Sequence, residues 1–194
     1  MSGSRAGPSE LIGAIGGWAW FCATAGGLGH LRPASGTWGS LPPAALLLGM
    51  GWLGAPLGAH LAAQSLLCAM ASAGCLHHGG KVETATGRKD PGVVVIDEVA
   101  GMALTFVGML LTALMVREGA AASAMPVRMA ATVAVAGFVW FRVMDVIKPP
   151  PARGLQRVPG GAGVLVDDLV VAPYAAAAAI VSIELWTRLQ ATAG

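Results

Sequence analysis

At 194 residues, 55% hydrophobic and only 11% charged, the chain departs from an ordinary soluble domain, in which roughly a quarter of residues carry charge. Pro33 to Gly80 is a stretch of 48 residues without Lys, Arg, Asp or Glu, far beyond the ~20 apolar residues that one bilayer crossing needs, which argues against a water-soluble domain. The net charge of +2, from 12 basic and 10 acidic residues, gives no reason to expect a nucleic-acid partner or an acidic tail.

In chain order, Met1 to Glu10 holds a single Arg and no A-x-A cleavage pattern, so no removable signal peptide is expected. Leu11 to Leu31 is uncharged, but six of its 21 residues are Gly. Each Gly weakens a helix by about 1 kcal/mol relative to Ala, so this segment is expected to lie at the interface or to re-enter rather than cross. The block Leu41 to Leu76 has 36 residues with Gly54, Pro56 and Gly58 near its middle. As one helix it would measure ~54 Å against ~30 Å of hydrocarbon, so it reads as a helical hairpin. Val99 to Val116, Val127 to Ile147 and Val164 to Trp186 have 18, 21 and 23 residues and read as one span each. The expectation is an all-α polytopic membrane bundle of about five spans, a single domain over 1–194. Residues 1–35 would form an N-terminal interfacial segment and 36–187 the working bundle. Cys22, Cys68 and Cys75 lie in apolar runs and suit packing rather than disulfides or metal. His77 and His78 read as an interfacial pair, and the six Trp as an aromatic belt.

Basic residues orient the chain, because short loops rich in Lys and Arg stay cytoplasmic. With the N-terminal segment and the loops 81–98 and 148–163 inside, eight basic residues (Arg5, Arg32, Lys81, Arg88, Lys89, Lys148, Arg153, Arg157) are cytoplasmic, and Arg117, Arg128 and Arg188 lie outside.

Acidic residues then converge on that inner edge. Asp97 and Glu98 open the third expected span, Asp145 nearly closes the fourth, and Asp167 and Asp168 open the fifth. Carboxylates at the hydrocarbon edge are costly unless paired or metal-bound, which makes them functional candidates. Arg142 and Lys148 are too few to neutralise five of them, and an oxygen-only ligand set suits a hard cation, magnesium (Mg²⁺) in particular. The competing reading is interhelical or i,i+3 ion pairing, as between Arg142 and Asp145. Lys148, Arg153 and Arg157 follow across the stiff run Pro149-Pro150-Pro151. Gly160-Gly161-Ala162-Gly163 and Gly36-Thr37-Trp38-Gly39-Ser40 each precede a helix, where free N–H groups suit a phosphate. Cations, carboxylates and such glycines on one face suggest phosphate chemistry.

Four strings in this order resemble the phosphatidylglycerophosphatase A family: G-T-W-G-S from Gly36, K-D-P-G-V-V-V-I-D-E-V-A-G-M from Lys89, F-R-V-M-D-V-I-K-P-P-P-A-R from Phe141 and G-G-A-G-V-L-V-D-D-L-V from Gly160. The resemblance implies an inner-membrane, multi-pass enzyme that uses Mg²⁺ to hydrolyse phosphatidylglycerophosphate to phosphatidylglycerol and phosphate at the cytoplasmic face. On that reading Asp97, Glu98, Asp145, Asp167 and Asp168 are catalytic metal ligands, and Thr37, Ser40, Arg142, Lys148, Arg153, Gly160 and Gly161 contact the phospholipid in the bilayer. Two departures are Ser35 where the family usually has Pro, and Val171-Ala172-Pro173 where it has an Ala-Gly pair. Pro173 is expected to kink the last span. The strings required by a histidine-nucleophile lipid phosphatase (P-S-G-H) or a CDP-alcohol phosphotransferase (D-x-x-D-G-x-x-A-R) do not occur. The alternative outside enzymology is a divalent-cation carrier, which would place its acids near the bilayer midplane.

Overall fold

A computed structural model describes residues 7–116, 119–155 and 160–193; Arg5, Arg117 and Arg157, used above to orient the chain, lie outside them. The described residues are all-α apart from one isolated bridge between Pro56 and Ala124. Helices run in the order α1 (Pro8–Ile15), α2 (Gly17–Ala23), α3 (Ser35–Gly39), α4 (Leu41–Trp52), α5 (Leu57–Thr86), α6 (Ile96–Val116), α7 (Val127–Ile147), α8 (Ala152–Leu155) and α9 (Gly161–Ala193).

Local chemistry sets the boundaries. Pro42 and Pro43 begin α4, where missing N–H groups cost nothing, and Pro56 and Pro126 stand just before α5 and α7. Gly54 turns the chain at φ 66°, and Gly87 ends α5 at φ 63°, a left-handed conformation that glycine adopts without a Cβ clash. Lys148 ends α7 in the same region, and Pro149 to Pro151 stop any continuation.

Four helices, α5, α6, α7 and α9, are long and apolar enough to cross a bilayer. The expected hairpin is present, with its turn at Leu53–Pro56, but its first limb is a correction. Helix α4 has 12 residues, ~18 Å at 1.5 Å per residue, shorter than the hydrocarbon layer. The two prolines at its start separate it from α3, so the fifth full-length span expected from hydropathy is not among the described helices. Segment 11–31 forms the two short helices α1 and α2 and a 3₁₀ turn at Leu28–His30, none long enough to cross. Gly54 is in the turn, and Gly58 abuts the Ala121 backbone. Helix α9 runs through Pro173 without ending.

Two apolar clusters hold the bundle. One joins α4, α6, α7 and α9 around the fully buried Phe106 and Phe141. The other joins α2, α5, the 93–95 segment, α6 and the start of α9 around Cys75, Val82 and Val94. Glycines let the helices close: Gly101 and Gly137 receive the rings of Phe141 and Phe106, and Gly161 lies against the Cys75 carbonyl, leaving no room for a Cβ.

Candidate active site

Helix direction brings the motifs together. The C-terminal half of α5, the start of α6, the end of α7 and the start of α9 meet at one end of the bundle, where a Cβ on Gly79 of α5 would crowd Gly161 and Gly80 packs against Gly160 and Gly161. Asp97 and Glu98 fall in the first turn of α6, Asp145 in the last turn of α7, and Asp167 and Asp168 in the second turn of α9. All five expected carboxylates therefore gather at one end, as the sequence implies.

Within that end they divide into two groups. Carboxylate oxygens of Asp97, Glu98 and Asp168 lie within 4.8 Å of one another. Asp97 Oδ1, Glu98 Oε2 and Asp168 Oδ2 are buried without a hydrogen-bond partner. Burying carboxylates costs several kcal/mol per ion unless an opposite charge compensates, and three at this separation also repel. The donor set is oxygen-only, anionic and convergent, so it fits a hard divalent cation. Asp145 and Asp167 belong to a different arrangement. Arg142 Nη1 lies 2.9 Å from Asp145 Oδ2, and Lys148 Nζ reaches Asp167 Oδ2 at 2.5 Å and Asp145 Oδ1 at 3.6 Å. The ion-pair reading thus holds for Asp145, while the trio is the group that can hold a metal among the described residues. Burial alone would lower the Lys148 pKa, but the hydrogen bond and charge of Asp167, with Asp168 and Asp145 behind it, raise it above the ordinary lysine range.

The other expected residues have mixed placements. The five-residue helix α3 lies across the start of α6: a Cβ on Gly36 would collide with Glu98 Oε1 and the Arg142 guanidinium, and one on Gly39 with Val95. Thr37 is half-buried on α3, whereas Ser40 is fully buried and donates to the Gly36 carbonyl at 2.9 Å, so its hydroxyl braces α3 rather than facing the carboxylates. Arg153 donates to the Ile147 carbonyl through Nε (3.1 Å) and Nη2 (2.7 Å), closing the end of α7. Gly160 is at φ 76° and its N–H donates to Glu83 Oε2, while Gly161 is a close-packing residue against α5.

Glu83 was not legible as a site residue. Its two oxygens accept from the N–H groups of Asp90 and Gly160, both at 3.0 Å, tying together two motif loops 70 residues apart in sequence. Ser35, one of the departures noted above, donates its hydroxyl to the Gly92 carbonyl, a bond that proline could not make.

Fold and site together define a polytopic helical membrane protein with a buried carboxylate centre at one end of its bundle. A family model described as phosphatidylglycerophosphatase A matches residues 21–183, and the chain belongs to that family. Family membership implies a lipid phosphatase acting on a phospholipid. No curated protein and no solved structure matches the chain.

Proposed function

We propose that this protein is a Mg²⁺-dependent phosphatase that hydrolyses phosphatidylglycerophosphate to phosphatidylglycerol and inorganic phosphate at the cytoplasmic face of the inner membrane. The observation that carries the reading is the trio Asp97, Glu98 and Asp168, whose unpartnered oxygens converge within 4.8 Å in a chain of this family.

Asp97, Glu98 and Asp168 would hold the cation. When bound, the cation supplies positive charge to the phosphomonoester oxygens as the bond to the glycerol oxygen breaks. Lys148 and Arg142, anchored on Asp167 and Asp145, present two further cations toward the same phosphate without leaving their own partners uncompensated. The attacking oxygen belongs to a water or to an aspartate carboxylate, and the leaving glycerol oxygen takes up a proton. Acid-quenched single turnover distinguishes these: an aspartyl phosphate leaves the phosphoryl group covalently on the protein in a form that hydroxylamine releases, whereas direct water attack leaves none.

Acids in the terminal turns of three helices suit a phosphatase at the membrane edge better than a carrier with a midplane site. Purified protein in sealed proteoliposomes tests this directly, by measuring phosphate release from phosphatidylglycerophosphate and Mg²⁺ flux in one sample. The expected result is phosphate release that EDTA abolishes and Mg²⁺ restores, without net Mg²⁺ movement. Flux without hydrolysis would overturn the phosphatase reading.

A further inference from the structure

A cavity lies beside the carboxylate centre, on the opposite side of the first turns of α6. It has a volume of about 680 Å³ and is bounded by α2, α5 and α6, with Trp18, Phe21, Met70, Ala73, His78 and Ile96 among its walls. Ile96 and Val99 face it, while Asp97 and Glu98 between them belong to the carboxylate trio. One turn of α6 therefore separates an acid site from an apolar groove at the same depth. Trp18 and Phe21 stack at 5.9 Å between ring centroids to form one wall, and both are more than half exposed, as is Met70, so the groove is open along its side.

The groove contains one feature that a surface facing only bulk lipid would not need. His78 is 7% exposed, and its Nδ1 is buried without a hydrogen-bond partner; the His77 ring packs edge-on against it at 4.8 Å. A buried imidazole nitrogen left unsatisfied in an apolar wall is costly; Nδ1 has no surface open to the groove as the ring stands, so a ligand oxygen removes that cost once the His78 ring turns toward it. Lys81 follows His78 by about one turn of α5 and is exposed, so positive charge lies within a turn of this histidine.

From this juxtaposition we infer that the groove between α2, α5 and α6 is the subsite for an acyl chain and the glycerol backbone of an anionic glycerophospholipid substrate. His78 hydrogen-bonds a lipid oxygen, and Lys81 faces the phosphodiester. The inference rests on the phosphatase reading above and extends it by assigning the place where the lipid is recognised. Binding energy from this remote part of the substrate would position the terminal phosphate over the trio.

The test compares dioleoyl phosphatidylglycerophosphate with its deacylated head group, and separately uses a phosphatidylglycerol carrying a diazirine in one acyl chain. Ala73→Phe, which fills the exposed side of the groove, is expected to raise the KM for the lipid relative to that for the head group by at least ~10-fold. Leu185→Ala, exposed near the far end of α9, should leave that ratio unchanged. His78→Leu should raise the lipid KM more than it lowers kcat, and His78→Asn, which keeps a hydrogen-bonding group, should recover part of the loss. Photolysis should place label on Phe21 and Met70 of the wild-type protein. An unchanged KM ratio in Ala73→Phe, label confined to α7 and α9, or cross-linking of two copies through Ala73→Cys in place of lipid labelling would each overturn the assignment. Should the wild type release phosphate from neither substrate, the phosphatase reading fails, and the diazirine label still decides for or against the groove.

Discussion

Asp145 and Asp167 share Lys148, whereas Asp97, Glu98 and Asp168 share buried space without a basic partner among their hydrogen bonds. These two environments give the acids different expected roles. Asp97→Asn and Asp168→Asn should each lower turnover by at least ~10²-fold with protein that still inserts and purifies, because loss of a ligand removes transition-state stabilisation. Steady-state phosphate release checks this; full activity in both would remove the metal assignment. Lys148→Met should lower both activity and thermal stability in detergent, since it removes the cation paired with Asp167 and leaves Asp145 with Arg142 alone. A lysine pKa raised in the folded state gives stability that is complete below the unfolded value, near 10.4, and is lost only as pH rises through the higher folded value. Melting temperatures between pH 6 and pH 9 should therefore show no contribution from Lys148 titration, and a Lys148-dependent loss inside that window would contradict the pairing. Gly36→Ala brings a Cβ into Glu98 and Arg142, so it should reduce kcat sharply while leaving the melting temperature nearly unchanged.

At the level of elements, α5 and α9 are fastened at the site by close backbone contact as well as by the Glu83 carboxylate. Gly161 sits against the Cys75 carbonyl, and Cys75 Sγ contacts the Gly161 carbonyl at 3.5 Å. Gly161→Ala should force α5 and α9 apart at a cost of roughly 1–3 kcal/mol, as overpacking of a tight contact does, measured as lost thermal stability in detergent. Composition alone marked Gly160 and Gly161 as a turn or phosphate cradle, but in the fold Gly160 spends its N–H on Glu83 and Gly161 spends its missing side chain on α5. The sequence could not show this, because the partner residues stand 77 and 86 positions away. The short α4 has the same lesson in reverse. Its composition is as apolar as a span, yet Pro42 and Pro43 start a new helix there and the chain turns at Gly54.

Across the whole molecule, the five site carboxylates and most of the described basic residues lie at the end formed by the C-terminus of α5 and the N-termini of α6 and α9, with Arg128 at the opposite end of α7 and the Arg188–Glu184 pair near the opposite end of α9. After removal of the native cysteines, a single Cys at Thr86 should react with an impermeant thiol reagent only from the cytoplasmic side, and one at Ala121 only from the other. Labelling of both from one side would refute the orientation. Hydropathy, proline and glycine placement and the spacing of acids sufficed to read from the sequence a helical membrane bundle, its hairpin turn and the convergence of five carboxylates, because each depends on local period or on the parity of crossings, and four motif strings carried the family. Tertiary structure alone decided which three acids share a centre, which two share a lysine, that Glu83 fastens two loops, and that a groove with a buried histidine lies beside them. Those facts depend on helix rotation and on approach distances of a few ångströms, which a linear pattern of apolar residues leaves undetermined.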